Sequence, residues 1–227
     1  MSQVQSNEIR VPDSPATLGD RTVPAPAEPT RVVVGAGGDP LILGLPIFAV
    51  GALALGMVLV GFLPATALGA IVPIVLFGTG LYLAVATVWA AVLGLTIVAG
   101  ITGTFSGFWL SLGGLLLGLQ HNWYGIAAAD VAQTQELFFI AWGCLFLFLL
   151  VPCLRLPAVY PAVVGLVVAA CAVAAASAHL GDANLLKASG YIILVLALLG
   201  FYAFVNVGLT AMGAKRAVPP LGRPIVS

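Results

Sequence analysis

From Leu41 to Met212 the chain carries only five charged side chains, Asp130, Glu136, Arg155, Asp182 and Lys187. A soluble domain needs roughly 25% charged residues because its surface must face water. This chain has 7% charged and 61% hydrophobic residues, with a mean hydropathy of +1.15. Most of its surface must therefore face something other than water. A membrane-spanning helix needs about 20 apolar residues to cross roughly 30 Å of hydrocarbon. Six blocks meet that length, at 42–62, 68–92, 97–118, 134–154, 158–179 and 187–211. Pro64, Gly94, the stretch Gln120 to Asn122, Pro157 and Gly181 to Asn184 separate them, and the five charges fall at such breaks. No block alternates polar with apolar residues as a transmembrane barrel strand does. The expected fold is an all-α integral membrane protein, a bundle of six transmembrane helices.

The ends are a different material. Residues 1–38 hold Pro12, Pro15, Pro24, Pro26 and Pro29 with scattered charges and no sustained apolar periodicity. That composition predicts a disordered tail. It lacks the early apolar core of a signal peptide. Residues 213–227, with Lys215, Arg216, Pro219, Pro220 and Arg223, read as a second, basic tail, leaving 39–212 as the membrane domain. Basic residues near span ends mark the cytoplasmic side. Six spans put both tails on one side. Arg10, Arg21, Arg31, Lys215, Arg216 and Arg223 lie in those tails, and Arg155 between spans four and five joins them. Both termini are expected in the cytoplasm of a multi-pass plasma-membrane protein. Lys187 alone points the other way.

Several functions lose support at this level. A net charge of zero gives no electrostatic footprint for nucleic acid. Cys144, Cys153 and Cys171 sit in apolar runs without metal-ligand spacing, and His121 and His179 have no partner at such spacing. Neither a metal nor a cofactor is expected. No span embeds a mid-membrane Asp, Glu, Lys, Arg or His, the groups on which ion and proton relays usually depend. No nucleophile–base pair is placed for hydrolysis, so the chain does not read as an enzyme.

Within the spans, glycine recurs: Gly51, Gly56 and Gly61 in the first, Gly78 and Gly80 in the second, and Gly100, Gly103, Gly107, Gly113 and Gly114 in the third. Small residues let helix backbones approach closely in lipid, and Gly103 and Gly107 form a G-x-x-x-G pair suited to intramolecular packing or to subunit contact. Polar groups are fewer. Thr102, Thr104, Ser106 and Ser111 lie on the third span and Asn206 on the sixth. Ser and Thr commonly bond back to their own helix, whereas the Asn206 amide needs partners from elsewhere, which makes it a pore-lining candidate. Thr104, Phe108 and Ser111 fall at i, i+4 and i+7, so one face presents hydroxyl and aromatic groups together.

The run Gly94-Leu95-Thr96, followed by Thr104-Phe105-Ser106-Gly107-Phe108-Trp109-Leu110-Ser111, resembles a hallmark of the acetate uptake transporter family, the YaaH or SatP type of succinate–acetate transporter. There a G-N-T-F-G stretch opens helix three and an aromatic-rich G-x-F-W-L follows. Ahead of the first span, Asp39-Pro40-Leu41-Ile42-Leu43-Gly44-Leu45 looks like that family's N-P-A-P-L-G-L signature. Gly181 to Asn184 leading into Ser189-Gly190-Tyr191, and Tyr202 followed by Lys215, Arg216 and Pro219, are similar in placement to its last helix. The likeness covers residues 39–220. It marks a divergent member: Asp39 replaces asparagine, Leu41 and Ile42 replace alanine and proline, and Leu95 replaces an asparagine.

The resemblance implies a channel or proton-coupled transporter for a small monocarboxylate such as acetate. Its partners would be the lipid bilayer, a small organic acid and identical subunits in a ring of six, each with its own pore. By that likeness Asp39, Pro40, Leu43, Gly44 and Leu45 lie at the cytoplasmic approach. Phe48 and Phe105 match an aromatic constriction, with Val167 as a third member. Thr104, Phe108, Tyr202 and Asn206 complete the candidate pathway. Asp39 has two readings, a titrating group at the mouth or an N-cap of the first helix. Two alternatives stand beside transport of an acid: an amide or urea channel, and a non-transporting membrane scaffold.

Overall fold

The computed structural model describes residues 38–214 and 218–226, with nothing stated of the Ala65 side chain. Contacts divide the chain into Met1–Val33 and Val34–Ser227. The expected N-terminal tail thus lies outside the described residues, save its last one, and every described helix belongs to the second unit.

Six helices or helical runs, α1 to α6, are long and apolar enough to cross a membrane. They are α1 (Leu41–Leu59), a run from Thr66 ending in α2 (Leu81–Val92), α3 (Thr96–Gln120), a run from Ala128 through α4 (Val131–Cys153), α5 (Val159–Leu180) and α6 (Ala183–Ala211). At 1.5 Å rise per residue, even the 19 residues of α1 reach about 28 Å, enough for the hydrocarbon core. Large apolar side chains such as Val88, Phe148 and Leu198 stay exposed on the outer faces of α2, α4 and α6. That surface is what a multi-pass membrane protein presents to lipid. We call the end that holds Asp39 and Arg155 the inner end, and the end that holds Glu136 and Lys187 the outer end.

Several boundaries differ from the expected ones. α1 ends at Leu59 rather than at 62, and α4 starts at Val131 rather than at 134. α6 starts at Ala183 rather than at 187, because the Asp182 carboxylate accepts from the Asn184 backbone N–H at 2.8 Å and caps the helix early. The second span is not one continuous α-helix. A 3₁₀ stretch, Ala65–Ile71, leads to Pro73, and Ile74–Gly80 then winds as a π-helix before α2 begins. Pro73 has no backbone N–H to give to a preceding turn. The widened turn finds its polar partners on neighbouring helices: Ser106 Oγ donates to the Gly80 carbonyl at 2.8 Å and Thr79 Oγ1 to the Ile47 carbonyl at 3.2 Å. Both hydroxyls are buried, so the bonds tie this segment to α1 and α3 where no water competes.

Helix contacts are set by missing side chains. α1 crosses α6 where a Cβ at Gly190 would meet Leu59 Cβ at 2.8 Å and the Val60 nitrogen at 3.0 Å. Gly56 and Gly200 face similarly tight contacts in the same seam. Gly103 and Gly107 pack within the chain, the first against Thr87 of α2 and the second against Trp142 of α4. Gly190→Val is therefore expected to lower stability by about 1–3 kcal/mol, the usual cost of overpacking. Gly100→Ala, whose Cβ would meet nothing within 4 Å, should be neutral. Melting of the purified protein in detergent, followed by loss of the monodisperse gel-filtration peak, separates the two.

The basic tail is not loose throughout. Over Val218–Val226 it folds back on the inner end of the bundle. Asn206 Nδ2 donates to the Pro219 carbonyl at 2.6 Å and the Tyr202 hydroxyl to the Pro220 carbonyl at 2.7 Å. The Val159 N–H donates to the Leu221 carbonyl, and the N–H groups of Ile225 and Val226 both reach the Leu154 carbonyl. Proline content pointed to a disordered tail, and it could not show that side chains of α6 supply donors to the carbonyls of Pro219 and Pro220. Lys215 and Arg216 lie outside the described residues.

Candidate functional site

Two cavities lie within the bundle. The inner one, about 110 Å³, is bounded by Leu41, Gly44 and Leu45 of α1, Leu83 of α2, Val98, Ile101 and Thr102 of α3, and Tyr160, Val163 and Val164 of α5. The outer one, about 360 Å³, is bounded by Leu55 and Val58 of α1, Phe108, Trp109 and Leu112 of α3, Val167 and Ala170 of α5, and Ile193 and Leu196 of α6, with Gln135 and Lys187 from the outer ends of α4 and α6. Phe48 and Phe105 line both. Their rings meet edge to face with centroids 4.7 Å apart, and each residue is 5% exposed. This pair is the partition between the cavities.

The partition is held from behind. Phe105 packs on Phe146 of α4 at 4.9 Å, and Phe48 lies 6.5 Å from Trp109. Phe108 continues the cluster against Trp109, Phe138, Trp142 and Phe146 at 5.3–5.8 Å. Edge-to-face and tilted arrangements set each ring's positive edge near a neighbour's negative face. The cluster can therefore fix ring orientation, not only fill space. On α4 the aromatics Phe138, Trp142 and Phe146 recur every four residues, a stripe that faces α3. That spacing was visible in the sequence, but nothing local says which helix the stripe meets.

Polar groups near the cavities are few and mostly satisfied. Thr102 Oγ1 donates to the Val98 carbonyl and accepts from Thr87 Oγ1, both at 2.9 Å. Around the outer cavity, Ser177 Oγ donates to the Asp182 carbonyl at 2.8 Å and Ser189 Oγ to the Ala170 carbonyl at 3.0 Å. Such walls do not solvate an ion well, and a narrow apolar neck between two wider spaces excludes water readily.

The candidate residues thus divide. Gly44, Leu45, Phe48 and Phe105 come together around the inner cavity, and Phe48, Phe105, Phe108 and Val167 around the outer one. Leu43, Thr104, Tyr202 and Asn206 line neither. Thr104 bonds back to the Gly100 carbonyl at 2.8 Å, Ser111 to the Phe108 carbonyl at 3.0 Å, and Tyr202 and Asn206 hold the C-terminal strap. Pro40 is buried at the start of α1, and the exposed Asp39 carboxylate accepts from the Leu41 N–H at 2.9 Å. Trp109, Gln135, Lys187 and Tyr160 border the cavities without having been singled out for the pathway. For Lys187 a signal existed: its placement against the rule for basic residues.

Comparison with known proteins bears on the same elements. The sequence profile of the GPR1/FUN34/yaaH family matches residues 24–217. The chain belongs to that family. Among solved structures, the fold is similar to that of the bacterial acetate channel SatP, with a TM-score of 0.73 and 23% sequence identity over 81% of this chain and 99% of that one. A search of curated proteins finds no match. The family match spans every helix described above, so Asp39–Leu45 and the Phe105–Leu110 run both fall within it.

Proposed function

We propose that this protein is a membrane pore for a small monocarboxylate such as acetate. The solute would pass from the inner cavity, across the Phe48–Phe105 pair, into the outer cavity. The single observation that carries the reading is that these two rings line both spaces in a bundle whose fold is similar to that of an acetate channel. An apolar neck favours a compact solute whose charge is masked. Among the described residues no acidic or basic side chain lines the partition, so a proton would most simply travel on the acid itself. The protein would sit in the plasma membrane, and the placement of its basic residues supports both termini in the cytoplasm. By the family likeness, it assembles as a ring of identical subunits, each with its own pore.

Radiolabelled acetate uptake into proteoliposomes, with and without an inward proton gradient, tests this reading. Uptake above empty liposomes that rises with the gradient supports an acid pathway. Flux equal to empty liposomes at every pH removes acetate. The apolar walls also suit an uncharged amide or urea, and that alternative predicts solute flux independent of pH. Asp39→Asn should leave acetate uptake within about twofold of wild type, because asparagine caps a helix about as well as aspartate and the carboxylate's visible work is to accept from Leu41. A large loss, or a displaced pH profile, would instead assign Asp39 a titrating role at the mouth.

A further inference from the structure

The C-terminal strap is tied to the bundle by its backbone at both ends. Three consecutive carbonyls, of Pro219, Pro220 and Leu221, accept in turn from Asn206 Nδ2 at 2.6 Å, the Tyr202 hydroxyl at 2.7 Å and the Val159 N–H at 3.0 Å. Further on, Pro224 pairs with Pro157 in an antiparallel bridge, and the N–H groups of Ile225 and Val226 reach the Leu154 carbonyl. The strap thus joins α6 to the turn between α4 and α5. Tyr202 and Asn206 stand four residues apart, on one face of α6. Polar side chains in a membrane helix are costly, and the strap engages both. Gly222 shapes the docked strap: its φ is +82°, and a Cβ there would stand 2.7 Å from Ala158 Cβ.

The same strap bears on the wall of the inner cavity. Leu221 shares an apolar cluster with Leu41, Leu45, Tyr160 and Ala203, and all four of these line that cavity. Leu221 lines neither cavity itself, so it presses on the wall from outside. From these contacts we infer that the strap is a latch on the inner cavity. Docked, it holds the inner ends of α5 and α6 together around a space of about 110 Å³. Released, it lets those ends part and admits water to the cavity. The strap is the part suited to move. Leu221 is half-buried between the exposed Pro220 and Gly222, and water at the surface can take over each of its hydrogen bonds. Its release breaks no helix, and segments with few buried contacts are the ones that open locally. Regulation of solute flux by the latch rests on the proposed pathway; the latch itself rests on the strap's contacts.

Val163, on the α5 wall of the inner cavity and 8% exposed, offers a test that does not depend on transport. In the full chain with Cys144, Cys153 and Cys171 replaced by alanine, Val163→Cys is labelled with a water-soluble maleimide. Strap release is produced in two ways, by Gly222→Val, which leaves every helix as it is, and by Tyr202→Phe combined with Asn206→Leu. Each should speed labelling about tenfold, as an open state of about 10% becomes the main one, with gel filtration checking that the variants are folded. The opposite arm locks the strap. Cα atoms opposed across an antiparallel bridge stand about 4.5–5.5 Å apart, within reach of a disulfide, so Pro157→Cys with Pro224→Cys can be cross-linked. Oxidation should lower acetate uptake into proteoliposomes about tenfold by withdrawing the open fraction, and reduction should restore it. A brace that never opens would leave uptake unchanged by the cross-link. Labelling as slow in both release variants as in their parent overturns the latch, and so does full uptake by the cross-linked protein. If the parent itself carries no acetate, the pathway reading falls and the labelling rates alone decide the latch.

Discussion

Phe105→Trp is expected to cut acetate flux by about tenfold or more, and Phe105→Ala to abolish discrimination against larger carboxylates. Phe105 is closed in on two sides, by Phe48 at 4.7 Å and Phe146 at 4.9 Å, and is 5% exposed. An indole in that space must either displace a neighbour or fill the partition. Overpacking costs of about 1–3 kcal/mol are typical, and about 1.4 kcal/mol added to the crossing barrier already slows flux about tenfold. Alanine does the reverse. It merges the inner and outer cavities and admits water to the neck, at a stability cost of about 3–5 kcal/mol for a buried phenylalanine. Uptake of acetate and of benzoate should be measured side by side in proteoliposomes, with gel filtration confirming that each variant is folded. A folded Trp variant with wild-type acetate flux would show that solute does not pass this pair.

The second large effect is expected at Gly44. A Cβ there would stand 3.5 Å from Thr102 Cγ2 and 3.7 Å from both Ala86 Cβ and Leu83 Cδ2, ordinary contact distances. Gly44→Ala should therefore fold and should reduce flux only slightly. Gly44→Leu places a branched side chain into a cavity of about 110 Å³ and should bring uptake close to that of empty liposomes. The contrast between the two substitutions separates blockage from misfolding, because both add a Cβ and only one fills the space. Equal, near-normal uptake by both would place the pathway elsewhere in the bundle.

Both predictions depend on information of two kinds. The count of spans and the surrounding medium were legible in the residues alone, since five charges over the segment Leu41–Met212 leave a backbone with this pattern only one way to satisfy its polar groups in lipid, as helices. The aromatic positions Phe48 and Phe105 were also legible, through their place in motifs that resemble a known family. Polar residues were read less well. Asn206 looked like a pore group because an isolated amide in an apolar helix needs a partner. Its partner is the Pro219 carbonyl, 13 residues downstream, and chain that folds back to meet a side chain leaves no periodic trace. Thr104 and Ser111 share a helix face with Phe108 by spacing, but each hydroxyl bonds to its own helix and borders neither cavity.

What the sequence determined by itself was the medium, the number of helices and the small residues along which they approach. Each follows from local composition, because transfer into lipid and close backbone contact depend on the residue types present. Only the tertiary structure decided which faces enclose space. The partition needs α1 and α3 to set Phe48 against Phe105, α4 to back them with Phe146, and the π-helical turn before α2 to seat Thr79 and Gly80 between α1 and α3. Those contacts join residues tens of positions apart on helices that are apolar on every side. With no polar face to set its rotation in water, each helix takes its orientation from how its small and large side chains interlock with the others.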